Sequence, residues 1–397
     1  MTKAGRWPRC EVKDRGGEMS TTDLGRVAIV HDALVTRGGA ERVVLFMMRT
    51  LPNADLFTSA YLPANTYSEF RGHGPRTFPW LSWIRNERQL KLAWPALIAG
   101  FRRLELQGYD TVLCSSAYAA KAVQVSKPSM LNLYCYAPFR LLWSPESYLS
   151  DKLRVAKGLA GIGLAPLRAW DRRVTLRADR IATTCRNMAE RIESCYKVAP
   201  AVIPAPIEWS AYRAGPDWDS FYLVVSRLNR YKRIDLAIAA CNRLRRRLLI
   251  VGDGPLRASL TRLAGPTVQF LGRVADVELR TLYRQCRALI FPADEDYGLV
   301  PLEAQASGRP VIAFGRGGAL ETVEEGRSGL FFEEQTEDHL VAAIERCEAT
   351  EFSSQEIRLG ARRFDVSSFS SKLSAFLTGP VPPARQRSSV AAAGPGE

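Results

Sequence analysis

Short runs of aliphatic and β-branched residues recur along this chain, each followed by a longer stretch whose apolar positions suit a helix. In the first half they lie at 26–31, 55–58, 111–115 and 180–184; in the second at 222–225, 248–251, 268–271, 288–291 and 311–313. Apolar residues fill consecutive positions rather than alternate ones, so both faces of each strand are expected to be covered. The pattern therefore predicts βαβ units in parallel sheets. Between the two series lie Pro200, Pro204 and Pro206 and then Ala214-Gly215-Pro216-Asp217, a segment that resists helix and tolerates bending. The expected architecture is α/β, with two doubly wound Rossmann-like domains at 23–214 and 215–378, the last helix of the second being free to cross back to the first. Their strand ends, and hence a ligand site, would face each other across a cleft. A chain of 397 residues divides naturally in this way.

The ends read differently. Residues 1–22 are polar, carry Gly5, Gly16 and Gly17, and lack the apolar stretch of a signal peptide; they are expected to be a disordered extension. Residues 379–397, rich in Pro, Ala, Ser and Gly, are expected to be a disordered tail. No run approaches the roughly 18 to 20 apolar residues of a membrane helix, so membrane association is expected to be peripheral at most. One candidate for it is 78–106, where Trp80, Trp83, Trp94 and Phe101 mix with Arg85, Arg88, Lys91, Arg102 and Arg103. The same pattern suits helices that pack their aromatics on the sheet and leave a solvated basic face.

Composition narrows the field without choosing within it. Hydrophobic residues at 46% and charged ones at 24% fit a globular enzyme or binding protein and not a fibrous or disordered chain. The net charge of +14 favours an anionic partner, whether nucleic acid, anionic lipid or a phosphorylated small molecule. No zinc-finger, RNP-like or basic-region pattern accompanies that charge, and nucleic acid is not expected. Eight scattered cysteines with no C-x-x-C pair point to reduced thiols and a cytoplasmic setting, and three histidines make a histidine-rich metal site hard to build.

Three segments carry candidate chemistry. In Val27-Ala-Ile-Val-His31-Asp32, followed by Gly38-Gly39-Ala40-Glu41-Arg42, a strand leads through a glycine pair into a helix, leaving backbone N–H groups for an anion. The pair also reads as plain turn chemistry. Arg227 and Lys232, five residues apart where a buried strand ends, can grip the two phosphates of a leaving diphosphate. A lone solvated basic turn is the alternative. In Glu295-Asp-Tyr-Gly298-Leu299-Val300-Pro301-Leu-Glu303, seven residues separate two glutamates. One carboxylate can sit in the loop near a sugar and the other reach ribose hydroxyls, while the N–H groups of Gly298, Leu299 and Val300 address phosphate. Asp294-Glu295-Asp296 also has the look of a metal-binding D-x-D, and paired carboxylates serve glycosidases, but a hydrolase has no use for Arg227 and Lys232 on a diphosphate. Val251-Gly-Asp-Gly-Pro255 and Phe314-Gly-Arg-Gly-Gly318 lack the full dinucleotide fingerprint and read as strand-ending turns.

Together these segments resemble the family 4 glycosyltransferases, a retaining family of GT-B fold, most strongly over 222–332. The opening VAIVHDALVTRGGAERV is similar to that of bacterial polysaccharide members, often mannosyltransferases. The resemblance implies that Glu295 approaches the donor sugar and Glu303 the ribose, that Arg227 and Lys232 hold the diphosphate, and that Gly38 and Gly39 form the glycine loop. It places the base-contacting turn at Arg273 and Val274. It further implies transfer with retained configuration, no bound metal, and a leaving phosphate that helps deprotonate the acceptor. Many members have Cys-His-Thr-Pro where this chain has Cys135-Tyr136-Ala137-Pro138, so Tyr136 stands in the place of a histidine that assists at the donor sugar. A phenol donates a hydrogen bond but accepts a proton poorly near neutral pH.

The expected activity is a retaining transfer of a sugar, mannose from GDP-mannose, from a nucleotide diphosphate donor to an acceptor hydroxyl in polysaccharide or glycolipid synthesis. A lipid-linked saccharide acceptor at the cytosolic face of the membrane and peripheral contact with anionic lipid go with that reading. A GT-B epimerase or a non-catalytic nucleotide-sugar-binding protein are the alternatives.

Overall fold

The computed structural model describes residues 24–144, 157–215 and 221–381. The extension expected at 1–22, nearly all of the tail expected at 379–397, and Pro216 and Asp217 of the junction lie outside the described residues.

Each apolar run becomes a strand, and the strands form two parallel sheets of six. The first holds β1 (Val27–His31), β2 (Asp55–Thr58), β3 (Thr111–Ser116), β4 (Met130–Cys135), β5 (Arg180–Thr183) and β6 (Ala201–Val202), in the order β2-β1-β3-β4-β5-β6. The second holds β7 (Phe221–Val225), β8 (Arg247–Val251), β9 (Val268–Gly272), β10 (Ala288–Phe291), β11 (Val311–Phe314) and β12 (Gly329–Phe332), in the order β12-β11-β10-β7-β8-β9. The expectation of buried, doubly covered strands holds most fully for β1, β3, β5, β10 and β11, whose residues are all buried.

Three strands are absent from the alternation read in the sequence. β4 is interrupted by Asn132, which the fold buries and satisfies in part by the Arg180 guanidinium at 3.1 Å. β6 is two exposed residues between prolines, and β12 is a four-residue run that opens on glycine with no β-branched residue. Pairing with an existing edge, and not their own periodicity, makes these segments strands.

The 78–106 segment packs part of its aromatic set inward and leaves part of it exposed. Helices Glu87–Leu92 and Trp94–Arg103 bury Leu97 and Phe101, and the Phe101 ring meets Phe78 edge-on at 5.1 Å. On the outside, Trp80, Trp83 and Leu92 remain 50%, 49% and 72% exposed. Among the described residues no helix is long and apolar enough to cross a membrane.

The last helix, Val366–Thr378, belongs in space to the first sheet's half. Ser370 and Thr50 share a hydroxyl hydrogen bond at 2.8 Å, Phe369 packs edge-on to Tyr134, and Ile207 N–H donates to Phe364 C=O at 2.9 Å. In both sheets the order reverses beside the first strand of the half, between β1 and β3 and between β7 and β10. Such reversals leave a crevice at the carboxyl ends of the strands.

Candidate active site

Those crevices contribute to one cavity of about 760 Å³, large enough for a sugar nucleotide, lined from both halves by His31, Gly38, Gly39, Tyr136, Glu295 and Gly298 among others. Its walls follow from local structure at the strand ends. Where β1 ends, the buried Asp32 carboxylate accepts from Ser116 Oγ (2.9 Å) and from the N–H groups of Ala117 (2.7 Å), Ala119 (2.9 Å) and Ala120 (2.7 Å). It ties the turn after β3 to β1 and so fixes the floor. Gly38 then caps helix Gly39–Thr50 in an extended conformation, and a Cβ on Gly39 would lie 3.3 Å from Leu299 Cδ1 of the opposite half. The second glycine thus permits close approach of the two halves.

Across the cavity, the loop after β10 turns at Gly298, whose φ of +88° and closeness to the Phe291 ring (2.9 Å from a Cβ placed there) suit glycine. Helix Leu299–Ala306 starts immediately after it, so Gly298, Leu299 and Val300 line the cavity at the positive end of a helix.

The predicted residues divide into groups. Lys232 and Glu295 form an ion pair in which Lys232 Nζ donates to Glu295 Oε1, and both are largely shielded from solvent. Arg227 donates to Thr36 Oγ1 at 2.6 Å, reaching from the end of β7 to the β1 side of the cleft. Glu303 lines the cavity while almost wholly buried, with Oε1 on the Arg42 guanidinium and Oε2 accepting from Tyr283 OH at 2.7 Å. Glu303 raises the Arg42 pKa further above its ordinary value, and burial, reinforced by Glu303, does the same for the Tyr283 phenol. The Tyr136 phenol is pushed up chiefly by burial; its hydroxyl donates to Ala40 C=O at 3.1 Å. Arg273, exposed, and Val274, half-buried, follow β9 and lie outside the cavity lining.

The Asp294-Glu295-Asp296 tripeptide does not gather its carboxylates. Asp294 is exposed, Glu295 meets Lys232, and Asp296 is held by Arg140 and Arg191 from the first half. Among the described residues no group of three His, Cys, Asp or Glu side chains is arranged to hold a metal ion. Tyr283 and Arg191 escaped the sequence reading, and Asp32 and Arg42 entered it only as flanks of the glycine turn, without these contacts. Their partners are remote in sequence, 261 residues for Arg42 and Glu303, and no local pattern marks them.

Residues 220–349, which include β7 to β12, the Lys232–Glu295 pair and Glu303, match the model of a family described as glycosyl transferases group 1. Beyond that stretch, alpha-1,3/1,6-mannosyltransferase ALG2 of Homo sapiens is 25% identical over 393 residues, covering 84% of this chain and 90% of that protein. The chain is a glycosyltransferase. A second relative of this glycosyltransferase is the GDP-mannose-dependent alpha-(1-6)-phosphatidylinositol monomannoside mannosyltransferase of Mycobacterium tuberculosis. It is 35% identical over 138 residues, which are 30% of this chain and 36% of that one. The glycosyltransferase also superposes on Anabaena HepE, solved in complex with UDP, with a TM-score of 0.64 and 18% identity over 89% of this chain and 100% of that one. The two facing halves are the two domains of a GT-B fold.

Proposed function

We propose that this glycosyltransferase moves mannose from GDP-mannose to a saccharide acceptor hydroxyl with retention of configuration. One observation carries the reading: Glu295, which Lys232 holds from outside the cavity lining, a helix N-terminus and a glycine pair, drawn from opposite halves, converge on one cavity. A diphosphate lying between Gly38-Gly39 and Gly298-Leu299-Val300 would receive backbone N–H groups from both sides. Lys232 and Arg227 would then supply the cationic charge that offsets the leaving group, in the role a metal ion plays elsewhere. Glu295, released from Lys232, would orient the donor sugar, Glu303 would anchor the ribose, and Arg273 and Val274 would meet the base once the donor is bound. The leaving phosphate would help deprotonate the acceptor. Relatives named as mannosyltransferases support the sugar, and one described as GDP-mannose-dependent supports the base. All are transferases, which disfavours an epimerase or a non-catalytic binder.

The test is a panel of nucleotide sugars by thermal shift, then product analysis with the best donor, with and without EDTA. GDP-mannose is expected to raise the melting temperature most, and the product to be an α-mannoside formed equally well in EDTA. Glu295→Ala is expected to retain its melting temperature and lose transfer. A larger shift with a uridine donor, or unaltered turnover in that variant, refutes the corresponding part of the reading.

The acceptor is proposed to be lipid-linked, at the cytosolic face of the membrane. Support comes from the exposed Trp80, Trp83 and Leu92 beside basic residues, with Leu90, in the helix that ends at Leu92, lining the cavity. Sedimentation with anionic but not neutral vesicles, lost in Trp80→Ser/Trp83→Ser, tests it.

A further inference from the structure

Tyr136 occupies the place of an assisting histidine, but its hydroxyl proton is engaged by Ala40 C=O. The structure supplies an imidazole a few ångströms away. His31, the last residue of β1, pairs in register with Ser115 of β3 at the point where the strand order reverses, lines the cavity, and meets the Tyr136 ring edge-on at 6.5 Å.

The hydrogen bonds order the protons along this wall. Tyr136 has one hydroxyl proton and gives it to the Ala40 carbonyl, which can only accept. The 2.9 Å contact between Tyr136 OH and Ser115 Oγ therefore uses the serine proton. With its proton spent, Ser115 Oγ accepts from His31 Nδ1 at 3.0 Å, and the Ser115 carbonyl, also at 3.0 Å, accepts from the same nitrogen. Nδ1 must carry the hydrogen. Burial is the largest influence on this imidazole and lowers its pKa below the ordinary value, against Asp32 and the Ser115 and Ala33 carbonyls, which raise it. Burial thus favours the neutral ring, and a neutral ring protonated at Nδ1 presents Nε2 as an acceptor.

We propose that His31 is a substrate-contacting residue of the transfer, accepting through Nε2 a hydrogen bond from a hydroxyl of the donor's sugar. Tyr136 and Ser115 are positioning residues that hold its tautomer. The inference rests on the reading of the cavity as the donor site and is independent of which sugar or base the donor carries.

The experiment has two arms. The first uses the wild-type protein: with three histidines in the chain, the imidazole nitrogens can be assigned by ¹⁵N NMR. The Nδ1–H tautomer is expected at His31, with an Nε2 resonance that moves on adding GDP-mannose and stays in place on adding GDP. An Nε2–H tautomer, or equal movement with GDP, overturns the proposal. The second arm compares two replacements. Asn keeps a donor near the Nδ1 position and places nothing at Nε2, whereas Gln places an amide near Nε2. His31→Asn is expected to reduce GDP-mannose hydrolysis at least tenfold and to lower the ratio of GDP-mannose to GDP affinity, with His31→Gln restoring much of both. Equal loss in the two variants, or none in His31→Asn, overturns it. Wild-type protein that ignores GDP-mannose but responds to another sugar nucleotide refutes the donor assignment alone; the tautomer result still decides for or against His31, and both arms run with that donor.

Discussion

Lys232 and Glu295 are paired with each other, the glutamate on the cavity wall, and the proposed function gives each a partner on the donor. Donor binding must exchange that contact for a phosphate on the lysine and a sugar hydroxyl on the glutamate. The exchange is favourable because an ammonium gains a doubly charged partner and the carboxylate keeps a hydrogen bond. Lys232→Met is expected to lower kcat/KM by about 10- to 100-fold, the worth of a hydrogen bond to a charged group. Initial rates over a range of donor concentration check it, and an unchanged kcat/KM would remove the lysine from the site. At this scale the sequence was legible where chemistry is local: a lysine just past a strand end and two glutamates seven residues apart. It was silent on Arg42 and Tyr283, because nothing around Glu303 announces a guanidinium 261 positions upstream. Nor did it reveal that the Tyr136 hydroxyl would be spent on a backbone carbonyl, a fact of how β4 lies against the helix Gly39–Thr50.

The helix Leu299–Ala306 shows how one element serves both fold and site. Its interior is buried, so its direction is fixed by packing, and its start is fixed by the left-handed turn at Gly298. Gly298→Ala places a methyl group 2.9 Å from the Phe291 ring at a φ that alanine resists. The expected cost is about 1–3 kcal/mol of stability, together with a raised KM for the donor as the N–H groups shift. Urea denaturation and a donor titration measure the two; loss of stability with an unmoved KM would mean that the helix start does not touch the donor. Elements of this kind were readable because a buried parallel strand is a dense apolar run and the glycine that follows it is conspicuous. β4, β6 and β12 were not, since a buried asparagine, a two-residue edge and a glycine-led tetrapeptide take their conformation from neighbours.

The two halves meet through polar contacts more than through strand pairing. Arg42 reaches Glu303, Arg37 reaches Asp276 at 3.0 Å, Arg140 and Arg191 converge on Asp296, and Glu321 accepts from the N–H groups of Arg186 and Asn187, both at 2.8 Å. Of these, only the Arg42 contact involves a carboxylate that is almost wholly buried, and exposed pairs contribute little. Arg42→Met leaves that buried carboxylate with tyrosine hydroxyls and no cationic partner, at a cost of about 3 kcal/mol. It is expected to enlarge the radius of gyration of the donor-free protein in X-ray scattering, and unchanged scattering would show that closure does not depend on this pair. The two-part architecture could be read from the alternation of runs and the proline-rich interval, whereas the closure rests on side chains from distant segments and could not. One feature of that architecture bears on how the protein is made. The helix Val366–Thr378 covers the first sheet, although about 160 residues separate it from the end of β6. At about 5–20 residues per second a ribosome needs roughly 8–30 s to cross that interval. The amino-terminal half, translated first, therefore waits with an uncovered apolar face until the carboxyl-terminal half has emerged, making it the portion most dependent on a chaperone during synthesis.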